Sequence, residues 1–321
     1  MMEPAEATAA DTEEGALRAS LARGDAMLGA VAPVLRYLLV HDDNGMLSEQ
    51  IVARVRGMIV DLAVALLDRL AAPDETPHRP LHPEADIAAL TAAFAADAAL
   101  LGHVHALALE WQLTERLQAR TALDPVVSPL LQALLASPDA ATASLAMRGL
   151  AAQARFGQAQ RRMQLPPGEL PADLLHAALL ALRAFAGTRP GGERQASKAE
   201  AAIRAEYDES RSRIALLSRL VTGLGPGAVA ALTVGHAGAA IFLTALAAAA
   251  GQDREQAVLA TGEGQVARLA LTLRAAGLKP EAIGEQLFAL HPDAPPLPGF
   301  DRIAPDHAAA LIAGTAPCRD R

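Results

Sequence analysis

The chain has 321 residues, of which 52% are hydrophobic and only 3% aromatic, and its formal net charge is −8. A chain of this length can bury one large core or two ordinary ones, since domains usually span roughly 100 to 200 residues. Much of the apolar content is alanine, which favours close packing of helices over a β-sandwich of branched and aromatic side chains. The single cysteine excludes a disulfide framework and a multi-thiolate metal site, and it fits a reducing cytoplasm.

Charge is distributed unevenly along the chain. Between Ser144 and Arg219 the sequence holds twelve basic and seven acidic side chains, a net +5, so the remaining residues carry −13. This asymmetry predicts that the basic part faces an acidic surface, either of a partner or of the protein itself. Nucleic acid is disfavoured as the partner because the whole chain is acidic and has few aromatic side chains that stack on bases.

The N-terminal third predicts a tail followed by a helical lobe. Met1–Glu14 is acidic and lacks the basic start and apolar core of a secretory signal, so we expect a disordered tail at 1–14. Helical patterns then predict a lobe over 15–122, with a proline-rich linker at Pro73–Pro83 and a helix break near Leu101–Gly102. One helix of this lobe opens at Ser48 and has the apolar stripe Ile51, Val55, Met58, Ile59, Leu62, Leu66 and Leu70.

The segment 123–222 predicts further amphipathic helices with many arginines. Asp124-Pro125 places a capping side chain before a proline, which marks a helix start. Lys198–Val221 predicts one long helix, because its apolar residues share a face and Glu200–Arg204 and Glu209–Arg213 are i, i+4 pairs in the favourable order.

The candidate interaction surface is the helix predicted from Pro138, preceded by the capping side chain of Ser137, to about Met163. One face of this helix is an apolar arc bordered by a row of arginines. The candidate partner-binding residues are Arg148, Arg155, Phe156, Arg162 and Met163. The alternative interpretation is that these arginines cover helix surface with their stems and pair with local carboxylates.

The segment 223–321 predicts a succession of short helices joined by turns of Gly, Asp and Pro, a pattern typical of antiparallel helical hairpins. Ala228–Ala250 has 23 residues without a full charge, which is long enough to cross a bilayer. Eleven of these residues are alanine, however, and Gly235 lies near the middle. We therefore expect two short buried helices broken near Gly235, and no membrane span.

Four phrases of this last segment form a recognisable pattern: Ala245–Ala247, Arg254–Val258, Ala267–Leu271 and Leu273–Leu278. Through them the segment resembles a bacterial all-helical family of unknown function with HEAT-like helical hairpins. The pattern rests on apolar and glycine positions rather than on a catalytic signature. The resemblance implies a helical interaction scaffold and no particular reaction.

His103, His105 and Glu110 form the most metal-like group in the sequence. Helix positions two apart point roughly 200° from each other, so both histidines cannot bind one ion without a break in the helix, whereas His103 and Glu110 share a face. The turn His41–Asn44 is a weaker candidate, because it lacks the alternating acidic spacing and distal Glu of a calcium loop.

Taken together, the sequence predicts an all-α fold, either an irregular HEAT-like helical-hairpin array or a multi-helix bundle, with two lobes. The expected function is that of a soluble cytoplasmic scaffold or regulatory protein that binds an acidic protein partner without catalysis, cofactor or metal. Self-association into a homo-oligomer is compatible with this function. The alternative is a metal- or small-ligand-binding helical bundle, or an enzyme, that uses His103, His105 and Glu110.

Overall fold

A computed structural model confirms the predicted all-α fold. It describes residues 4–40, 48–71, 82–295, 297 and 300–315, and no strand occurs within those ranges. The α-helices are α1 (Pro4–Val40), α2 (Glu49–Ala71), α3 (Glu84–Ala96), α4 (Ala98–Thr121), α5 (Pro129–Leu135), α6 (Ala140–Arg161), α7 (Ala172–Gly187), α8 (Gly192–Glu206), α9 (Arg213–Gly223), α10 (Val234–Ala250), α11 (Arg254–Ala260), α12 (Val266–Ala275), α13 (Pro280–Leu290) and α14 (Pro305–Thr315). Short 3-10 segments lie at Pro167–Glu169, Glu209–Arg211, Gly225–Leu232 and Phe300–Arg302.

Backbone contacts divide the chain into two compact units, each assembled from segments that are distant in sequence. The first unit takes the described residues of Met1–Val31, Gln112–Ala143 and Leu220–Arg321, and the second takes those of Ala32–Trp111 and Ser144–Arg219. The segments predicted from the sequence were contiguous, whereas these units are not. The difference arises because an amphipathic helix packs against any apolar stripe that complements its own, wherever that stripe lies in the sequence.

In the second unit, α2, α3, α7 and α8 form a closed set of contacts, in which α2 and α7 each touch both α3 and α8. Every residue of the apolar stripe predicted for α2 is buried there. The Ser48 hydroxyl accepts a hydrogen bond from the Ile51 amide at 3.4 Å, so the predicted start of α2 is also correct.

The break between α3 and α4 lies at Asp97, so the prediction of a break near Leu101–Gly102 is wrong. The Asp97 carboxylate accepts hydrogen bonds from the amides of Ala99 at 2.9 Å and Leu100 at 3.0 Å. A capping carboxylate typically stabilises a helix start by ~1 kcal/mol, whereas a glycine inside a helix costs about the same and is tolerated. The cap therefore determines where α4 begins.

In the first unit, α10 contacts α5, α11, α12 and α13. It bends at Gly238, whose φ of 72° and ψ of 162° are open almost exclusively to glycine, close to the break predicted at Gly235. A Cβ at Gly238 would lie 3.0 Å from the Ser128 side chain, so glycine also allows this close approach. No single helix among the described residues is long and apolar enough to cross a membrane.

Two further predictions of helix boundaries differ from the structure. α1 begins at Pro4, so most of the segment predicted as a disordered tail, 1–14, is helical, which agrees with its high alanine content. Asp124 accepts hydrogen bonds from the amides of Val126 and Val127 and closes a turn, whereas the next helix is capped by Ser128. The predicted turn His41–Asn44 lies outside the described residues.

Candidate functional site

An ion pair between Arg213 and Glu110 is buried in the second unit. The two guanidinium nitrogens donate to the two carboxylate oxygens at 2.7 and 2.8 Å, and the side chains are 2% and 1% exposed. Arg213 also donates to the Gln153 side-chain oxygen at 3.3 Å. Two parallel hydrogen bonds to an arginine occupy the Glu110 carboxylate, so this member of the predicted metal-like group serves as an ion-pair partner.

Two aromatic rings pack beside this ion pair. The Arg213 guanidinium lies 3.6 Å from the centroid of the Phe156 ring, and that ring meets Trp111 edge to face at a centroid distance of 6.0 Å. The guanidinium of Arg161 lies 5.5 Å from the centroid of the Trp111 ring. Phe156, a candidate partner contact, is 9% exposed and therefore belongs to the interior.

Met163, the other apolar candidate, is half-buried just beyond the end of α6. Its φ of 53° places it in the left-handed conformation that closes many helices, and the Gln164 amide donates to the Ala159 carbonyl at 2.9 Å. A Cβ at Gly57 would lie 2.6 Å from the Met163 Cβ, so the methionine packs directly on the backbone of α2. Neither Phe156 nor Met163 is therefore fully exposed on the surface.

The long helix predicted over Lys198–Val221 is broken, so that prediction is wrong. α8 ends at Glu206, and Asp208 accepts hydrogen bonds from the Ser210 amide at 3.0 Å and the Ser210 hydroxyl at 2.7 Å. The Tyr207 hydroxyl donates to the Leu170 carbonyl at 2.8 Å. These local bonds compete with the helix, as short polar side chains do, and α9 starts anew at Arg213.

This break opens one side of a pocket of about 400 Å³ in the second unit. We call it the Arg155 pocket. Its walls are Leu107, Arg155, Phe156, Ala159, Gln160, Gln164, Leu165, Pro166, Gly168, Glu169, Glu206, Tyr207, Asp208, Arg211, Arg213 and Ile214. Three arginines and three acids therefore line it, together with apolar side chains and two glutamines.

The three acids of the Arg155 pocket are all engaged within the protein. Glu169 accepts from the Arg213 amide at 2.9 Å, Glu206 pairs with Arg69, and Asp208 accepts from Ser210. The hydrogen bond from Arg69 lowers the pKa of Glu206, and the hydrogen bond from Ser210 lowers the pKa of Asp208. All three carboxylates are therefore already satisfied by donors of the same unit.

Two of the three arginines of the pocket, in contrast, have no carboxylate at ion-pair distance among the described residues. These are Arg155 on α6 and Arg211 in the segment between α8 and α9, and both are exposed. Arg211 is near enough to Asp208 to contribute to the lowered pKa of that carboxyl without pairing with it. The pocket therefore presents two guanidinium groups whose donors are available.

The predicted arginine row is exposed on the same unit. Arg148 and Arg155 lie on α6 and Arg162 directly follows it, and none has a carboxylate partner within the described part of the chain. Residues seven apart on a helix share a face and are about 10 Å apart along its axis. Three other exposed arginines of the unit pair with acids: Arg183 and Arg204 with Glu200, and Arg189 with Asp86.

The two histidines of the predicted metal-like group are buried in α4. His103 is 2% exposed and His105 3% exposed, and burial lowers the pKa of His105 to about 4. In the described ranges, no group of three or more His, Cys, Asp or Glu side chains is arranged to hold a metal ion. His105 is thus a neutral core side chain at physiological pH, and Glu110 faces Arg213.

Comparison of the chain with known protein families, with curated proteins and with solved structures finds no match. A functional assignment therefore has to be argued from the geometry of the second unit.

Proposed function

We propose that this protein is a non-catalytic helical scaffold or regulatory protein of the cytoplasm that binds an acidic segment of a protein partner along α6. The contact residues are Arg148, Arg155 and Arg162. The resemblance of the C-terminal segment to bacterial HEAT-like helical hairpins belongs to the same proposal, because such scaffolds present helix faces to other proteins.

The observation that carries the proposal is the contrast between paired and unpaired arginines within one unit. Arg183, Arg189 and Arg204 have carboxylate partners, whereas the three arginines of the α6 row have none within the described residues. An arginine on a helix surface stabilises the helix further when an acid lies three or four residues away. A regularly spaced row of unpaired guanidiniums complements a row of carboxylates on another chain.

We restrict the proposed contact to the arginines of the candidate surface. Phe156 is buried and Met163 is half-buried against α2, which supports a contact that is mainly electrostatic rather than apolar. Complementary charges at an exposed interface accelerate association, and salt steeply weakens the attraction between them. We therefore expect binding of moderate affinity that falls as ionic strength rises.

The test uses a synthetic helical peptide with Glu at every seventh position, and a matched peptide with Lys at those positions. Binding to the full chain is measured by fluorescence anisotropy of labelled peptide at low and high salt. The triple variant Arg148→Gln, Arg155→Gln, Arg162→Gln should bind the Glu peptide about tenfold more weakly, because three exposed pairs of roughly 0.5 kcal/mol each are lost.

The control is the triple variant Arg183→Gln, Arg189→Gln, Arg204→Gln, which removes the same charge from arginines that already have partners. It should bind the Glu peptide within about twofold of wild type. Equal weakening by the two triple variants would show that only net charge matters, and equal affinity for the Glu and Lys peptides would contradict recognition of an acidic segment.

A further inference from the structure

The Arg155 pocket has the properties of a small-molecule site. An electrostatic contact along the surface of α6 would not need such a pocket. Its volume of about 400 Å³ falls in the range of roughly 300 to 1,000 Å³ that is usual for ligand pockets. Leu107, Phe156, Leu165 and Ile214 give it apolar walls. A ligand that fills it needs an apolar body of modest size.

The charges of the lining determine which polar group such a ligand carries. The three carboxylates already accept hydrogen bonds from donors of the protein, and Arg213 is held by Glu110. The charged donors that remain available are therefore the guanidiniums of Arg155 and Arg211. Guanidinium groups bind carboxylates through two parallel hydrogen bonds, so a carboxylate is the group that these two arginines fit.

The formal charge of the pocket favours a monoanion over a polyanion. Three arginines face three acids in the lining, so the sum is zero before a ligand enters. A phosphate or polyphosphate would bring two or more negative charges close to Glu169, Glu206 and Asp208, and like charges repel strongly at short range. One carboxylate takes up the two available guanidiniums without that excess charge.

We infer that the Arg155 pocket binds a monocarboxylate with an apolar body, held between Arg155 and Arg211 and packed against Phe156. This inference does not rest on the proposed protein partner. The same chemistry occurs in a free organic acid and in the C-terminal residue of a peptide with an apolar side chain. The experiment distinguishes these two sources.

The probes are benzoate and benzamide, and a tripeptide Gly-Gly-Phe with either a free or an amidated C-terminus. Each is titrated into the full chain and followed by NMR. The carboxylate form of at least one pair should bind with a dissociation constant of roughly 1 mM or tighter, and its neutral amide should bind at least about tenfold more weakly. Binding of benzoate assigns the site to a free acid, and binding of the peptide alone assigns it to a chain terminus.

The double variant Arg155→Ala, Arg211→Ala should weaken carboxylate binding about 10- to 100-fold, because two charge-assisted contacts are removed. Both side chains are exposed and without an ion-pair partner among the described residues, so the fold should tolerate the change. The matched double variant Arg148→Ala, Arg162→Ala removes the same charge from α6 outside the pocket and should bind the carboxylate within about twofold of wild type.

A second variant, Ala159→Leu, adds bulk to the pocket wall without a change of charge and should also weaken carboxylate binding. The inference is overturned if neither carboxylate binds, if the amides bind as well as the acids, or if binding survives the Arg155→Ala, Arg211→Ala change. The Arg148→Ala, Arg162→Ala variant separates the two proposals, since it removes two of the three arginines of the row and leaves the pocket lining unchanged. Loss of acidic-peptide binding together with retained benzoate binding, or the reverse, is thus attributed to one of them.

Discussion

Arg213 and Glu110, which are 103 residues apart in the sequence, form a two-pronged ion pair in the interior of the second unit. The pair connects α9 to α4 and supports the ring of Phe156, whose face lies 3.6 Å from the guanidinium carbon. Transfer of both charges from water is costly, and the mutual attraction together with the hydrogen bond to Gln153 offsets that cost. The pair therefore fixes the position of α9 more than it adds to stability.

Removal of one partner should be far more damaging than removal of both. Glu110→Gln or Arg213→Met leaves a buried charge without a counter-charge, and each should lower the free energy of unfolding by about 3 to 5 kcal/mol. The double variant Glu110→Leu, Arg213→Met should recover most of that loss. Trp111 is the only tryptophan of the chain and lies in the same unit, so its fluorescence in a urea titration reports the change.

The exposed pair of Arg204 and Glu200 is the control for this experiment, with an N–O distance of 2.9 Å. Arg204→Ala should cost only about 0.3 to 0.5 kcal/mol, as is usual for a solvent-exposed helix pair. If the single substitutions at Glu110 and Arg213 cost no more than Arg204→Ala, the ion pair is not the anchor that its geometry indicates.

Sequence patterns report local interactions. For that reason they predict most of the helices but not the ion pair between Arg213 and Glu110. Helix periodicity and caps are local, and they correctly give the fold class, the buried stripe of α2 and the short helices of 223–321. The partner of Arg213 is not local. Glu209, four residues earlier, is the neighbour that an i, i+4 rule selects, yet Glu209 accepts from the Ala172 amide and Arg213 turns to Glu110.

The sequence does not predict the Arg155 pocket, because this pocket depends on the break between α8 and α9. An uninterrupted helix over Lys198–Val221 would carry Tyr207 and Arg211 along one rod, and no pocket wall would form between α8 and α9. The available signal was Asp208 followed by Ser210, a pair of short polar residues that compete with helical hydrogen bonds. The exposed arginine row on α6, in contrast, follows directly from a seven-residue spacing.

Stability of the second unit should fall as the pH is lowered from about 6.5 towards 4. Burial lowers the pKa of His105 to about 4 from an ordinary value of 6.5, so in this interval the unfolded chain binds a proton that the folded chain does not. The contribution is fully present above pH 6.5 and is lost as the pH falls to about 4. Its size is of the order of 3 kcal/mol, from about 1.4 kcal/mol for each unit of pKa difference.

The measurement is a urea titration at pH 7 and at pH 4.5, again followed by Trp111 fluorescence. His105→Leu removes the titrating group and should reduce the difference in unfolding free energy between the two pH values. His176→Gln, which changes an exposed histidine of α7, should leave that difference unchanged. An equal effect of the two substitutions would show that burial of His105 is not the cause.

Gly192 should not tolerate a side chain. A Cβ at this position would lie 1.9 Å from the Ala186 carbonyl oxygen, a backbone atom that cannot move away without distorting α7. Gly192→Ala should therefore destabilise the second unit by about 1 to 3 kcal/mol, the usual cost of overpacking. Gly187→Ala is the matched control, because no atom lies within 4 Å of its Cβ position. In thermal melts, Gly192→Ala should have a lower melting temperature than Gly187→Ala. Equal melting temperatures would contradict the close approach of α7 and α8.

The hydroxyl of Tyr207, a residue that lines the Arg155 pocket, should contribute measurably to stability. Tyr207→Phe removes the hydrogen bond to the Leu170 carbonyl and keeps the ring, so the free energy of unfolding should fall by about 0.5 to 1.5 kcal/mol. Burial, with Glu209 and Asp173 nearby, raises the pKa of this phenol to about 12, so the folded state favours its neutral form. The stabilisation from this group is present below pH 10 and is lost as the pH rises towards 12.

Ultraviolet absorbance of tyrosinate measures this ionisation directly, because the chain has only two tyrosines. The difference between wild type and Tyr207→Phe isolates the titration of Tyr207. In folded protein this difference should develop about two pH units later than in urea-unfolded protein, where the phenol titrates near its ordinary value of about 10. The same midpoint in folded and unfolded chains would mean that the hydroxyl is exposed to water and does not hold the turn between α8 and α9 against Leu170.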